Sequence, residues 1–206
     1  MKNVIFDFDG TIVDSLYFII EMYERWYPKT RHFNQLEINK LREESLIKIA
    51  EELRIRPWKL PLLIIRGKLE MNKKLGQIKM IPGIDKTIIE LKKSNTNLFI
   101  ASSNSPSNIK KYLKIHHLRD NFTRIYGNVG LLSKAKVISK IISTNNLNAE
   151  DTYYIGDEVR DIKAAQKAGI KVIAVSYGFN GKKILSKHNP DFLVDNSQDI
   201  LKIILA

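Results

Sequence analysis

The 206-residue chain contains no cysteine. That absence excludes disulfides, thiolate zinc sites and a cysteine nucleophile together, and it suits a reducing compartment. Long apolar runs are also missing. The longest candidate, Leu60-Pro-Leu-Leu-Ile-Ile65, stops at Arg66, far short of the roughly 18 to 20 residues a membrane span needs. The first residues, Met1-Lys-Asn-Val-Ile-Phe6, turn acidic at Asp7 and do not build a signal-peptide core. These features lead us to expect a soluble, cytoplasmic protein with no membrane partner. Glycine and proline are sparse, at ten and six residues, and no repeat or low-complexity tract is present, so collagen-like and disordered classes are excluded.

Acidic residues are the minority charge, 22 against 34 basic ones, giving a net charge of +12. An excess of this size can attract nucleic acid, anionic lipid or a phosphorylated metabolite. The basic residues are mostly lysine, 25 against 9 arginines, and they accompany 30 isoleucines, a pairing that reads as compositional drift. No lysine/arginine run with interleaved aromatics appears, so nucleic acid is not the expected partner. What the chain does have is 44% apolar and 27% charged residues, enough to bury a real core in one domain carrying at most a smaller insertion.

Four short apolar runs each end in a polar turn. Residues 2–7 end at Asp7-Phe-Asp-Gly-Thr11, 97–101 at Ser102-Ser-Asn-Ser105, 152–155 at Gly156-Asp-Glu158, and 171–175 at Ser176-Tyr-Gly178. Runs of this length and composition read as buried strands. Helical patterns lie between them at 85–93, 107–115, 134–143 and 161–168, the last closed by Gly169, a natural C-cap. Alternating strand and helix implies an α/β fold with a doubly wound parallel sheet, whose ligands sit at the carboxyl ends of the strands. All four polar turns fall there. Residues 16–79 show helical periodicity instead, as in Phe18-Ile19-Met22 and Leu46-Ile47-Ile49-Ala50-Leu53, and no convincing strand. They read as an inserted helical subdomain, with Pro57 and Pro61 breaking its helices near the end and Pro82-Gly83 marking the return to the core.

Asp7 and Asp9 stand two apart where the first strand ends. A lone Asp-x-Asp is ordinary loop chemistry. Two carboxylates in one polar pocket nevertheless call for a cation, and Asp157 and Asp161 can complete an oxygen-rich site of the kind Mg²⁺ takes up together with water and phosphate oxygens.

These residues resemble the four motifs of the haloacid dehalogenase-like hydrolases, in the right order: Asp7-Phe-Asp-Gly-Thr11, Ser102 after Leu98-Phe-Ile-Ala101, Lys134 at a helix start, and Gly156-Asp-Glu-Val-Arg-Asp161. The resemblance covers 1–15 and 80–206, read as a Rossmann-like catalytic core, with 16–79 as an α-helical cap. It implies a Mg²⁺-dependent phosphomonoesterase. In that scheme Asp7 is the nucleophile and a metal ligand, and Asp9 is the general acid and base whose backbone carbonyl also ligates metal. Gly10, Thr11, Ser102, Ser103 and Asn104 line the phosphate, and Lys134 balances the charge of Asp7 and phosphate. Asp157 and Asp161 complete the metal site, Asp161 directly or through water and as an orienter of Lys134. Ser103 is an alternative to Ser102 and Lys136 to Lys134. Glu158 reads either as an outer metal partner or as a favourable anion in a first helical turn, and Asp14 as a hinge into the cap or as an N-cap.

The position of the insert resembles the phosphoglycolate phosphatase and β-phosphoglucomutase branch, in which a cap closes over the phosphate of a small metabolite. Because Asp9 is present, phosphoryl transfer is expected and carbon dehalogenation is not. The segment from 16 to 80 holds 14 basic residues against eight glutamates, which suits an anionic substrate. Arg66 is the candidate substrate-facing arginine; the alternative is a stem lying on apolar surface with its head in water. A sugar-phosphate mutase or sugar phosphatase is the second reading, with His32 as weak support. His116, His117 and His188 lack metal-ligand spacing. A non-catalytic anion-binding protein is a third reading, but it has no need of nucleophile, acid, clamp and metal set together.

Overall fold

The structure, a computed structural model, describes residues 1–27, 32–44, 48, 51, 55–56, 59–130 and 133–206. Six strands form one parallel sheet: β1 (Asn3–Phe6), β2 (Asn97–Ala101), β3 (Arg124–Tyr126), β4 (Thr152–Gly156), β5 (Lys171–Val175) and β6 (Phe192–Val194). Their spatial order is β3-β2-β1-β4-β5-β6. The chain therefore winds outward from β1 in one direction, then returns to the other side of β1 and winds outward again. The reversal leaves a crevice at the carboxyl ends of β1 and β4, the natural ligand position of such sheets.

Alternation along each strand fills two cores. Val4, Phe6, Leu98, Ile100, Tyr153, Ile155, Ile173 and Val175 face one side, where helices Ile84–Lys93, Pro106–Ile115 and Gln198–Leu205 cover them. Ile5, Phe99, Ala101, Tyr154, Val172 and Ala174 face the other, beneath Lys134–Thr144 and Val159–Ala168. A sheet buried on both faces needs apolar residues at every strand position, which is why its central strands appear in the sequence as continuous apolar runs. Gly169 closes the helix Val159–Ala168 with φ +72°, as its position predicts.

Among the described residues, the α-helices α1 (Ser15–Trp26), α2 (Gln35–Arg42) and α3 (Leu60–Lys73) and a short 3-10 turn, Leu75–Gln77, lie between β1 and the helix Ile84–Lys93, with no strand. An isolated antiparallel bridge between Val13 and Met80, beside the hydrogen bond from Asp14 N to Lys79 O, ties the two ends of this helical cap together. Pro61 corrects an expectation: it occupies the first turn of the 14-residue helix α3 instead of breaking a helix. The first turn has no intrahelical use for the missing N–H, so proline starts helices there at no cost. The pattern 46–53 and Pro57 fall largely or wholly outside the described residues.

Two strands, β3 and β6, have no counterpart among the apolar runs of the sequence. Each has three residues at an edge of the sheet, with Arg124 and Phe192 exposed, so neither carries a periodic apolar signal.

Candidate active site

The turn after β1 places Asp7 in the crevice. Its carboxylate Oδ1 accepts from Phe8 N at 2.8 Å, and its backbone N donates to Ile155 O at 2.8 Å. Asp157 leaves β4 alongside it, fully buried. Thr11 Oγ1 donates to one Asp157 oxygen at 3.0 Å and Phe179 N to the other at 2.6 Å. Gly10, with φ +77°, sits so close that a Cβ there would overlap the Asp157 carboxylate, and a Cβ on Gly178 would overlap the same carboxylate. The glycines are therefore steric requirements of this carboxylate's pocket, and Gly10 is also a conformational one.

Lys134 opens its helix with only 4% of its surface exposed. Its Nζ donates to Asp7 Oδ2 at 2.8 Å and to Asp161 Oδ1, and it lies 5.5 Å from the centre of the Tyr154 ring. Asp161 accepts from Glu158 N at 3.0 Å with its other oxygen, so it is held as a fixed counter-charge. Lys136 is exposed, and the alternation of the helix leaves Lys134 as the residue facing inward.

Asp7, Asp157 and Asp161 offer oxygens within 4.8 Å of one another. This cluster does not include Asp9, whose side chain faces Asn104 instead: Asn104 Nδ2 lies 3.2 and 3.4 Å from its two oxygens. Any part of Asp9 in metal binding thus falls to its backbone. Ser102 is fully buried and its Oγ accepts from Asn104 N at 3.2 Å, whereas Ser103 is half-buried.

Electrostatics follow from this packing. Burial drives the Asp157 carboxyl well above the ordinary range, and the charges of Glu158, Asp161 and Asp7 push it further. Burial also raises Asp161, partly offset by Lys134. For Lys134, burial alone would lower the ammonium; the carboxylates of Asp161 and Asp7 more than reverse that and leave it firmly charged. Glu158, bonded to Arg160, is lifted to about 7, chiefly by burial. Three buried carboxylates with one cation among them form a site of unbalanced negative charge. A hard divalent ion with oxygen ligands, such as Mg²⁺, matches both that charge and that donor set.

Arg66 is not part of this arrangement among the contacts seen. It is exposed on α3, with its guanidinium 4.2 Å from the centre of the Trp26 ring, a cation–π position that accounts for it within the cap. His32 is exposed and pairs with Glu24. Asp14 occupies the N-cap position of α1; burial raises its carboxyl, and a backbone hydrogen bond from Tyr17 partly offsets this. Among the described residues, the cap arginine that does reach the polar turns is Arg42, whose Nε donates to Gly178 O at 2.7 Å. Nothing in the sequence around it distinguishes it from the other basic residues of the segment.

A family model for haloacid dehalogenase-like hydrolases matches residues 4–175. A phosphoglycolate phosphatase of Synechococcus elongatus is 30% identical over 206 residues, covering 99% of this chain and 97% of that protein. The pyrophosphatase PpaX of Bacillus mycoides is 23% identical over 214 residues, covering 99% and 97%. Among solved structures, a haloacid dehalogenase-like protein of Agrobacterium tumefaciens superposes with a TM-score of 0.77 at 18% identity, covering 100% of this chain and 98% of that one.

Proposed function

The chain belongs to the haloacid dehalogenase-like hydrolase family and is a phosphatase; from that premise we propose that it hydrolyses a small phosphomonoester through a phosphoryl group carried on Asp7, with Mg²⁺ as cofactor. The observation that carries this reading is the triangle of Asp7, Lys134 and Asp161 beside Asp157. Asp7 Oδ2 is held by the ammonium and Oδ1 by a backbone N–H, so the carboxylate is fixed in direction before a substrate arrives, as a nucleophile needs to be.

In the first half-reaction an Asp7 oxygen attacks phosphorus, the bond to the leaving oxygen breaks, and Asp9 gives that oxygen its proton. In the second, Asp9 takes a proton from water, the resulting hydroxide attacks phosphorus, and inorganic phosphate leaves with Asp7 restored. Asn104 keeps Asp9 aligned for both proton transfers. Ser102 and the N–H groups after it stabilise the phosphoryl oxygens, and Lys134 holds positive charge against them throughout. Asp7, Asp157 and the Asp9 carbonyl would hold Mg²⁺, with Asp161 behind them, and the ion would supply charge neutralisation to the phosphoryl group.

2-Phosphoglycolate is the first candidate substrate, because a relative of full matching length carries that activity in its name. Sugar phosphates test the mutase reading, and inorganic pyrophosphate follows from the name of the second relative. The same reading assigns the reaction to the cytoplasm and gives the protein neither a nucleic-acid nor a membrane partner; no helix among the described residues is long and apolar enough to cross a membrane. A panel of these compounds, assayed for released phosphate with and without Mg²⁺, tests the proposal. Mg²⁺-dependent release with 2-phosphoglycolate preferred supports it, and transfer between sugar positions without release overturns it.

A further inference from the structure

The loop 176–181 between β5 and the helix Lys182–Ser186 is held from two sides. On the core side it encloses Asp157: Phe179 N donates to Asp157 Oδ2 at 2.6 Å, Asn180 N donates to Asp157 O at 3.2 Å, and the missing Cβ of Gly178 makes room for the carboxylate. On the cap side it is held by two consecutive residues at the end of α2. Arg42 donates to the carbonyls of Ser176 and Gly178, and its own carbonyl accepts from Gly181 N at 2.8 Å. Glu43 accepts from Ile184 N at 2.9 Å and Lys183 N at 3.3 Å. Gly181 adjoins the Glu43 carboxylate so closely that a Cβ there would overlap it, and the three atoms nearest to that Cβ all belong to Glu43.

We propose that Glu43, together with Arg42, is a positioning clasp: Arg42 docks the cap onto the loop 176–181, Glu43 docks it onto the first turn of the helix that follows, and through that loop the pair fixes the orientation of Asp157. The physical argument is one of shared backbone. Gly178 takes Arg42 on its carbonyl and leaves space for Asp157, and the next residue donates its N–H to that same carboxylate. Displacement of the loop on the cap side thus moves the groups that aim Asp157. Cap docking and readiness of the metal site become one event, a coupling that rests on the reading of Asp157 as a metal ligand.

The test is a double-mutant cycle of Glu43→Ala and Gly181→Ala. Gly181 has φ −82°, so alanine is free of backbone strain, and its Cβ acts by evicting the Glu43 carboxylate, its nearest neighbour. Two quantities are measured on the full chain, amide exchange at Ile184 and the Mg²⁺ dissociation constant by calorimetry with the metal alone. Each single variant is expected to speed exchange at Ile184 and to weaken Mg²⁺ about 3- to 10-fold, less than the 10- to 100-fold typical of groups bonded directly to ligands. In the Glu43→Ala background, Gly181→Ala is expected to add nothing. Unchanged exchange at Ile184 in both variants overturns the clasp. Faster exchange with unchanged Mg²⁺ affinity, or two effects that simply add, overturns the coupling. A wild type that binds no Mg²⁺ overturns the metal reading and the coupling with it, while the exchange data alone still judge the clasp.

Discussion

Lys134 and Asp7, separated by 127 positions in sequence, meet in the crevice with Nζ 2.8 Å from Oδ2, both side chains almost fully buried. A buried pair of this kind contributes little net stability by comparison with apolar packing, but removal of one partner strands the other. Lys134→Ala is therefore expected to leave both Asp7 and Asp161 uncompensated. In urea denaturation without Mg²⁺ its unfolding free energy should fall by about 3 to 5 kcal/mol. Its kcat should fall by about 10²- to 10³-fold as a charge on the phosphoryl group is lost. A variant as stable as the wild type contradicts the burial argument.

The Gly178→Ala variant places a Cβ against Asp157 and the Gly10 carbonyl. Calorimetric titration should show Mg²⁺ affinity reduced at least about 10-fold, the range seen when groups supporting a ligand are disturbed. Gly169→Ala provides the contrast. That glycine has φ +72° and nothing within 4 Å of its missing Cβ, so the variant should lose about 1 to 2 kcal/mol of stability and bind Mg²⁺ as the wild type does.

Glu158 gives a pH dependence with a defined sign. Its folded-state value, about 7, lies above its ordinary 4.5, so between these limits the folded protein binds more protons at this site than the unfolded chain does. Stability from this group therefore declines as pH rises from 4.5 to 7. Glu158→Gln removes the decline. In metal-free melting curves the variant's gain in Tm over the wild type should be absent near pH 4.5, grow through the interval and level off above 7. A gain that shrinks with rising pH contradicts the assignment.

Much of this site is legible in the sequence because a doubly covered parallel sheet writes its strands as apolar runs and its ligand turns as abrupt polar breaks. Asp7, Thr11, Ser102 and Asp157 all fall at such breaks, and Lys134 and Asp161 fall in first turns of helices that follow. Where several candidates adjoined, only packing separates them: Lys134 is buried and Lys136 exposed. The short edge strands β3 and β6 lack the length for periodicity to show. Arg42 and Glu43 are illegible for another reason. Their partners on the core are backbone carbonyls and N–H groups of residues 176, 178, 183 and 184, and a contact to the main chain leaves no mark on the side chains it pairs with. Arg66 drew attention by interrupting an apolar run, yet its surroundings are the Trp26 ring.

On this reading Asp7 carries the phosphoryl group. The most direct test is phosphate release from 2-phosphoglycolate and other small phosphomonoesters, with and without Mg²⁺, by the wild type and Asp7→Asn side by side, with circular dichroism to confirm that both are folded. Mg²⁺-dependent release by the wild type is expected, with a loss of at least about 10³-fold in the variant, the scale of removing a covalent nucleophile. A folded Asp7→Asn protein that releases phosphate at the wild-type rate contradicts this reading.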